Sequence, residues 1–170
     1  VDPQKIEDFF RHAREAAGIQ FVGFQRNDEV MSREAYALQQ RVERAFYAPG
    51  RFVPLPGFEW SGELEAGGHH NVFFRRFDQP IRRSGHRGDL DRSDAHTDLR
   101  HVRDLYEAYR QADVLIMPHV GGVHADLRHH EPTLEPVVEV TSTHGSFEWF
   151  LRETLERRYT LGFVGGSDSY

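Results

Sequence analysis

The sequence predicts an α/β protein built on a parallel β-sheet, and three features of its 170 residues lead to that prediction. Short apolar runs, typical of buried strands, alternate with segments whose apolar residues recur at helical spacing. Turns containing glycine or proline end most of these runs. Several runs also deliver a metal-capable side chain at the carboxyl end, where β/α barrels build their sites. The pattern fits an open sheet and a closed barrel equally well.

The clearest predicted strand covers residues 113–117 and is followed closely by His119 and two glycines. A run this short is typical of a buried parallel strand rather than of a helix. Three similar runs lead to further polar side chains. These side chains are Glu59, His144 and Asp168. We therefore expect a site at one edge of the sheet that contains Glu59, His119 and Asp168, together with other histidines.

Four segments have the spacing of amphipathic helices, and two more runs are typical of strands. Pro3 suits the first turn of the first helix, and Ser32 suits the N-cap of the second. The predicted helices lie within 3–18, 32–49, 99–109 and 147–155, and the two additional strands within 19–24 and 69–75. No internal repeat or linker interrupts this order, so we predict a single domain over 1–170.

The segment between Arg75 and Asp98 lacks periodicity and is rich in arginine, aspartate, glycine and serine. We call it the 75–98 excursion. The simplest prediction is a solvated loop, in which His86 is exposed. The alternative is an arginine-lined approach for an anionic substrate.

Composition excludes several classes of function. The chain has no cysteine, which excludes disulfides, thiolate zinc sites and cysteine nucleophiles, so any metal must be bound by His, Asp and Glu. Its 11 histidines are an unusual supply of such ligands. The net charge of -6 predicts no general attraction to nucleic acid or to a membrane surface. No apolar run approaches the roughly 20 residues that span a bilayer, so a cytoplasmic protein is the default expectation.

Individual candidates differ in how strongly the sequence supports them. Glu59 lies on an otherwise apolar strand, where an unpaired carboxylate is costly, and this favours a functional role. His69 and His70 must point to opposite faces of a strand, so at most one enters the site, and we choose His70. Asp168 has an alternative role as the cap of a turn.

Five motifs, taken together and in order, resemble the PHP (polymerase and histidinol phosphatase) superfamily. The likeness is to a branch with a Gly-x-Glu-Trp strand and a Gly-x-His-Asn-Val strand, and it covers nearly the whole chain. The motifs are Gly57-Phe58-Glu59-Trp60-Ser61, Gly68-His69-His70-Asn71-Val72, Pro118-His119, the segment from Glu139 to Glu148, and Gly166-Ser167-Asp168.

The resemblance implies a distorted β/α barrel that binds up to three divalent metal ions and hydrolyses phosphate esters. The implied metal ligands are Glu59, His70, His119 and Asp168. His144 stands where this branch has a site histidine, with Glu148 nearby, and both are candidate catalytic residues. The cofactors would be Zn, Mn or Fe ions, and the substrate a small anionic or phosphorylated molecule.

Three departures from the family pattern bear on function. The family opens with a His-x-His pair on its first strand, and this sequence has none. Asn27 stands where a ligand histidine is expected, and Tyr170 stands where the family has a histidine two residues beyond the aspartate. Residues 1–170 are therefore expected to be a fragment of a longer domain that lacks its first strand, or a barrel whose site has degenerated.

Two functions of different classes follow from these observations. The first is a metal-dependent hydrolase, acting as a phosphoesterase through metal-activated water. The second is a non-catalytic barrel that keeps a metal or ligand site and serves as a binding or structural module. A doubly wound binding protein is disfavoured because no glycine-rich phosphate fingerprint follows a strand.

Overall fold

The computed structural model describes residues 2–168, which form a mixed α/β structure. The predicted helices and strands are present; the first three helices are shorter than predicted, and several other elements are shifted by one or two residues. The helices are α1 (Pro3–Arg11), α2 (Arg33–Phe46), α3 (Val102–Tyr109) and α4 (Glu148–Glu156). The strands are β1 (Phe21–Gly23), β2 (Val53–Leu55), β3 (Gly57–Ser61), β4 (His69–Phe74), β5 (Val114–Pro118), β6 (Val137–Ser142), β7 (Gly145–Ser146) and β8 (Gly162–Gly165).

The first two helices begin at the residues that the sequence indicated. The Asp2 carboxylate accepts a hydrogen bond from the Gln4 backbone N–H and caps α1, which starts at Pro3. The Ser32 side chain accepts from the Ala35 backbone N–H and caps α2. Both helices bury their apolar stripes in one core cluster, which includes Ile6, Phe10, Ala13, Val42 and Phe52.

Three small sheets carry the candidate site. Strand β1 pairs with β2 in parallel, β3, β4 and β5 form a second sheet, and β6 pairs with β7 and β8 in a third. Strand β4 is antiparallel to both of its neighbours, so the prediction of a parallel sheet is wrong at this point. The physical reason is the short connection between β3 and β4, because a parallel crossover needs a dozen or more residues.

The described residues form these three open sheets rather than a closed barrel. The chain after β1 continues alongside β3, since the Glu59 backbone N–H donates to the Arg26 carbonyl. Strand β5 lies beside β6, which pairs in parallel with β8. Every residue of β8 is exposed, and Phe21 in β1 is 66% exposed. The barrel therefore stays a prediction.

The sheet of β3, β4 and β5 has two different faces. Phe58, Trp60, Val72 and Ile116 lie in an apolar core together with residues of α3. The register pairs Glu59 with Asn71 and Trp60 with His70, so Glu59 and Asn71 lie on the opposite face. One face therefore holds the main core, and the other presents polar groups.

The 75–98 excursion is anchored at Arg83, His86 and Asp94, where the prediction of a solvated loop is wrong, whereas residues 87–89 and 91–93 are exposed. The Arg83 side chain is only 2% exposed; it donates to the Met31 carbonyl and to the Asp94 carboxylate. The ring nitrogens of His86 lie 3.0 Å from Asp94 Oδ1 and 3.1 Å from Asp98 Oδ2, and its side chain is 2% exposed. Buried charges here are paired, as burial requires.

None of the helices within residues 2–168 is long and apolar enough to cross a membrane.

Candidate metal centre

Three side chains, one from each of the successive strands β3 and β4 and one from the residue after β5, converge on one point. Glu59 lies in β3, His69 opens β4, and His119 follows the last residue of β5. One ligand atom from each of them lies within 4.8 Å of the others. Glu59 and His119 are buried, and the His69 side chain is 18% exposed. Two imidazoles and a carboxylate at this spacing can hold a divalent ion.

Backbone pairing explains why these residues meet. Ser61 pairs with His69 across the antiparallel ladder, which places His69 two positions from Glu59 on the same face. The His119 backbone N–H donates to the His69 carbonyl at 3.1 Å. His69 Nδ1 lies 2.5 Å from Glu59 Oε1, and the rings of His69 and His119 stack with centroids 6.1 Å apart.

Glu139 determines the orientation of His119. His119 Nδ1 bonds to Glu139 Oε2, which also accepts from the Val120 backbone N–H at 3.3 Å. Burial opposes protonation of His119, but the bond to Glu139 outweighs it, and the pKa of His119 lies above its ordinary value. Because Nδ1 is occupied by this bond, Nε2 is the atom available to a metal ion.

At Gly166, the segment after β8 approaches His119 and Glu139 closely. A Cβ atom added at Gly166 would lie 2.2 Å from Glu139 Oε1, so a larger residue there would displace the Glu139 carboxylate. Two residues later, Asp168 Oδ2 lies 3.8 Å from His119 Nε2 and 3.4 Å from His144 Nε2. Burial raises the pKa of Asp168, although the charge of His119 acts in the opposite direction.

Asn27 and Asn71 flank Glu59 with amide groups. Asn27 Nδ2 donates to Glu59 Oε1 at 3.1 Å and to Ser61 Oγ at 3.0 Å. Asn71 is opposite Glu59 in the ladder, and its Oδ1 is buried without a hydrogen-bond partner among the described residues. A buried acceptor beside a His/Glu cluster, together with the oxygen and nitrogen donors of that cluster, fits a hard or borderline cation.

The structure turns His70 away from the centre and His69 toward it, the reverse of the choice made from the sequence. The prediction that only one of the two enters the site agrees with the geometry. What differs is which of the alternating residues of β4 face the core, and Trp60 decides this. That side chain is fully buried in the core, and the register places His70 beside it.

His70 instead belongs to a buried polar network on the core face. Its Nε2 lies 3.2 Å from the Tyr106 hydroxyl and 3.3 Å from Glu135 Oε1, and its Nδ1 lies 3.1 Å from the Gly68 carbonyl. The Tyr106 hydroxyl donates to Glu135 Oε1 at 2.6 Å. Burial would raise the pKa of Glu135, but bonds to His130, His70 and Tyr106 outweigh it and hold the pKa at about 2.

The two predicted catalytic residues lie in different settings. His144 is 45% exposed and close to Asp168. Glu148 lies in the first turn of α4, where its side chain is 83% exposed and pairs with Arg152 at 2.9 Å. His144 therefore lies beside the centre, whereas the contact of Glu148 is with its own helix. Tyr170 lies outside the described residues.

Sequence reasoning missed the participation of His69 and the tethering of the 75–98 excursion to β3. The Asp28 carboxylate is fully buried and accepts from the Ser61 backbone N–H and from Ser84. Burial raises the pKa of Asp28 to about 6, against the opposing bonds from Ser84 and Ser61. The signal for His69 is its position next to His70, which pairs with the buried Trp60 across the ladder; alternation along β4 then directs His69 to the opposite face. No local pattern in the sequence marks the contact of Asp28.

Comparison with known proteins places this geometry in context. A family model described as protein of unknown function (DUF3604) matches residues 4–152. No curated protein matches the chain. A similar solved structure is a two-domain protein from Bacteroides vulgatus containing a predicted PHP-like metal-dependent phosphoesterase. It is 14% identical, with a TM-score of 0.54 over 89% of this chain and 43% of that one.

The likeness to the Bacteroides vulgatus structure is one of fold, and the chain spans less than half of that protein's length. Because the family model covers most of the sequence, the chain belongs to the DUF3604 family.

Proposed function

We propose that this chain is a metal-dependent hydrolase of the PHP type, acting as a phosphoesterase on a small anionic or phosphorylated substrate. The observation that carries the proposal is the convergence of Glu59, His69 and His119 within 4.8 Å at the ends of neighbouring strands. The similarity of the fold to a protein that contains a predicted PHP-like phosphoesterase supports it.

In this proposal Glu59, His69 and His119 hold the first ion. Asp168 stays in the ligand set because its carboxylate lies 3.8 Å from His119 Nε2. His69 takes the place that the sequence had given to His70. Neutral imidazole and carboxylate donors suit Zn, Mn or Fe and do not select among them.

The surrounding side chains orient these ligands and handle protons. A divalent ion held here would supply hydroxide near neutral pH and offset negative charge that develops on a phosphoryl group. Glu139 fixes the His119 ring, and Asn27 holds one oxygen of Glu59. His144 is half-exposed beside Asp168, so it can exchange a proton with solvent, and we assign it proton transfer. A catalytic role for Glu148 stays a prediction.

We also propose that the three open sheets belong to a distorted β/α barrel, of which 1–170 is one part. The parallel pairings of β1 with β2 and of β6 with β8, on either side of the central sheet, support this arrangement. A cytoplasmic location remains a default prediction.

One observation favours the alternative, a non-catalytic barrel that binds a metal or ligand. Asn27 occupies the place of an expected ligand histidine, and its amide nitrogen donates to Glu59 Oε1. An amide N–H cannot bind a cation, so this position supplies orientation where the family resemblance implies a ligand.

The test is the metal content of chelator-free protein, measured by inductively coupled plasma mass spectrometry, with a phosphomonoester assay in parallel. Glu59→Gln and His119→Ala should lose the metal while keeping the circular dichroism of the parent. Glu107→Gln is the matched control, because that glutamate is exposed and forms a local ion pair with Arg110. Wild-type occupancy in both site variants would contradict the proposed centre, and stoichiometric metal with no hydrolysis would favour the non-catalytic alternative.

A further inference from the structure

The 75–98 excursion pairs one arginine with the segment that follows Asn27, the residue that donates to Glu59. The excursion is tied to β3 because Asp28 accepts both from the Ser61 backbone N–H at 2.9 Å and from Ser84. Three residues after Ser84, the Arg87 backbone N–H donates to the Glu29 carbonyl at 2.8 Å. The position of Arg87 is therefore set by buried contacts on one side and by backbone pairing on the other.

Two carboxylates hold the Arg87 side chain. Its Nε lies 2.7 Å from Glu29 Oε2, and its Nη2 donates to Glu63 Oε1 at 2.9 Å. Glu29 lies two residues after Asn27, whose amide Nδ2 donates to Glu59 Oε1 at 3.1 Å. Arg87 is thus linked to the metal centre through Glu29.

The guanidinium is held in place and still accessible. The Arg87 side chain is 60% exposed, so part of its planar fork faces solvent while Glu29 and Glu63 hold the rest. Guanidinium groups bind carboxylates and tetrahedral oxyanions through paired N–H donors. A guanidinium already oriented by protein groups loses less conformational entropy when it binds an anion.

The charges around the centre give such a cation a role. Glu59 belongs to the centre, Glu139 and Asp168 lie beside His119, and Glu29 and Glu63 hold Arg87. These carboxylates repel an approaching oxyanion, and the guanidinium would act together with the bound divalent ion to oppose that repulsion.

We propose that Arg87 is the anion-binding residue of this site, recognising a tetrahedral oxyanion of the substrate beside the metal ion. The inference rests on the proposed function and adds to it a specificity-determining residue from the 75–98 excursion. When the anion binds, it takes N–H donors that are free or shared with Glu63, the more exposed of the two carboxylates.

The experiment measures binding of inorganic phosphate to the metal-loaded full chain by isothermal titration calorimetry. Arg87→Gln should weaken phosphate binding about tenfold or more, as expected for a lost charge-assisted hydrogen bond. Arg87→Lys should recover part of the affinity, because the charge remains and the fork does not. Arg92→Gln is the matched control, since Arg92 is an exposed arginine of the same excursion that contacts the His86 carbonyl.

A second variant separates anion binding from a purely structural role. Glu63→Gln removes an acceptor that competes for the Arg87 fork, so phosphate should bind several-fold more tightly. That gain should shrink in the Arg87→Gln/Glu63→Gln double variant, which closes a double-mutant cycle. A structural role for Arg87 predicts equal gains in both backgrounds.

The outcomes distinguish this inference from the proposed function. Equal phosphate affinity in Arg87→Gln and wild type would overturn the role of Arg87 and leave the metal centre standing. Failure of the metal-loaded wild type to bind phosphate would also overturn it, whereas the hydrolase proposal is judged separately by metal content and phosphomonoester turnover. The metal content of Arg87→Gln, measured by mass spectrometry, should match that of wild type; loss of the metal would also overturn the inference, because Arg87 would then support the metal site rather than bind the anion.

Discussion

His69 and His70 are adjacent on β4 and lie in opposite environments. His69 faces Glu59 and His119, whose donor atoms converge within 4.8 Å. His70 faces Tyr106 and Glu135 in a fully buried network. Each histidine has a carboxylate partner, so neither burial nor a nearby acid distinguishes a ligand from a structural histidine.

The difference lies in how completely the polar atoms are used. On the core face, Glu135 accepts hydrogen bonds from Tyr106, from the Glu131 backbone N–H and from His130 at 2.8 Å. On the other face, Glu59, His69 and His119 converge on one point, and Asn71 Oδ1 is buried without a hydrogen-bond partner among the described residues. A cation is a group that satisfies such an arrangement. A saturated network favours a structural role, and a convergent set of acceptors favours a metal.

The largest expected effect comes from a substitution in the buried network on the core face. Glu135→Ala removes the acceptor shared by His70, Tyr106 and His130, leaving a buried cluster without its anion. Breaking one partner of a buried ionic network costs about 3–5 kcal/mol. We expect a loss of that size in the free energy of unfolding, measured by urea titration of metal-free protein. A loss below about 1 kcal/mol would show that the network is not structural.

The next largest effect is expected from a substitution of a metal ligand on the opposite face. His69→Gln should reduce metal affinity roughly 100-fold or more, since losing a direct ligand costs at least as much as losing its supporting partner. The metal-free protein should keep its unfolding free energy to within about 1 kcal/mol, because His69 is partly exposed. Competition titration against a chromophoric chelator measures the affinity. His70→Gln, the matched control, should show the reverse pattern, and identical behaviour of the two variants would remove the distinction between the faces.

A smaller effect tests the support of His119. Glu139→Gln keeps the shape of the side chain but removes the charge that bonds to His119 Nδ1. Metal affinity should fall about 10- to 100-fold, as for other outer partners of ligand histidines. The same chelator competition measures it, and an unchanged affinity would mean that Glu139 does not orient the ring.

Another buried carboxylate, Glu43, sharpens the comparison through pH. Glu43 has a single donor, Gln39 Nε2 at 2.9 Å, and its Oε2 has no partner among the described residues. Burial raises the pKa of Glu43 to about 8, with the Gln39 bond opposing the shift. Glu135, with several donors, has a pKa of about 2.

The sign of the pH dependence differs for these two acids. Glu43 binds a proton more tightly in the folded chain, so its contribution favours folding below about pH 4.5 and is lost as pH rises toward 8. The contribution of Glu135 to stability is present above about pH 4.5 and is lost as the pH falls toward 2. Glu43→Gln should therefore gain stability relative to wild type by about 1 kcal/mol per pH unit between pH 5 and 8. Thermal unfolding across this range would contradict the argument if the difference were independent of pH.

Local patterns were enough to predict several parts of the site. The apolar run that ends before His119 and the lone carboxylate on the Glu59 strand are local features, and both residues lie in the cluster. Alternation along a strand also limited His69 and His70 to one site residue. These features can be recognised in the sequence because strand periodicity and strand ends are properties of a few consecutive residues.

Tertiary structure decided what those patterns left open. The burial of Trp60 selected which histidine faces the centre, and Glu139, 20 positions beyond His119, supplied the partner that orients it. The short connection from β3 made β4 antiparallel. Arg83 and Asp28 anchored an excursion that had been predicted to be a solvated loop. Each of these outcomes depends on pairing between distant segments, and the free energy of such pairing is not contained in the composition or periodicity of either segment alone.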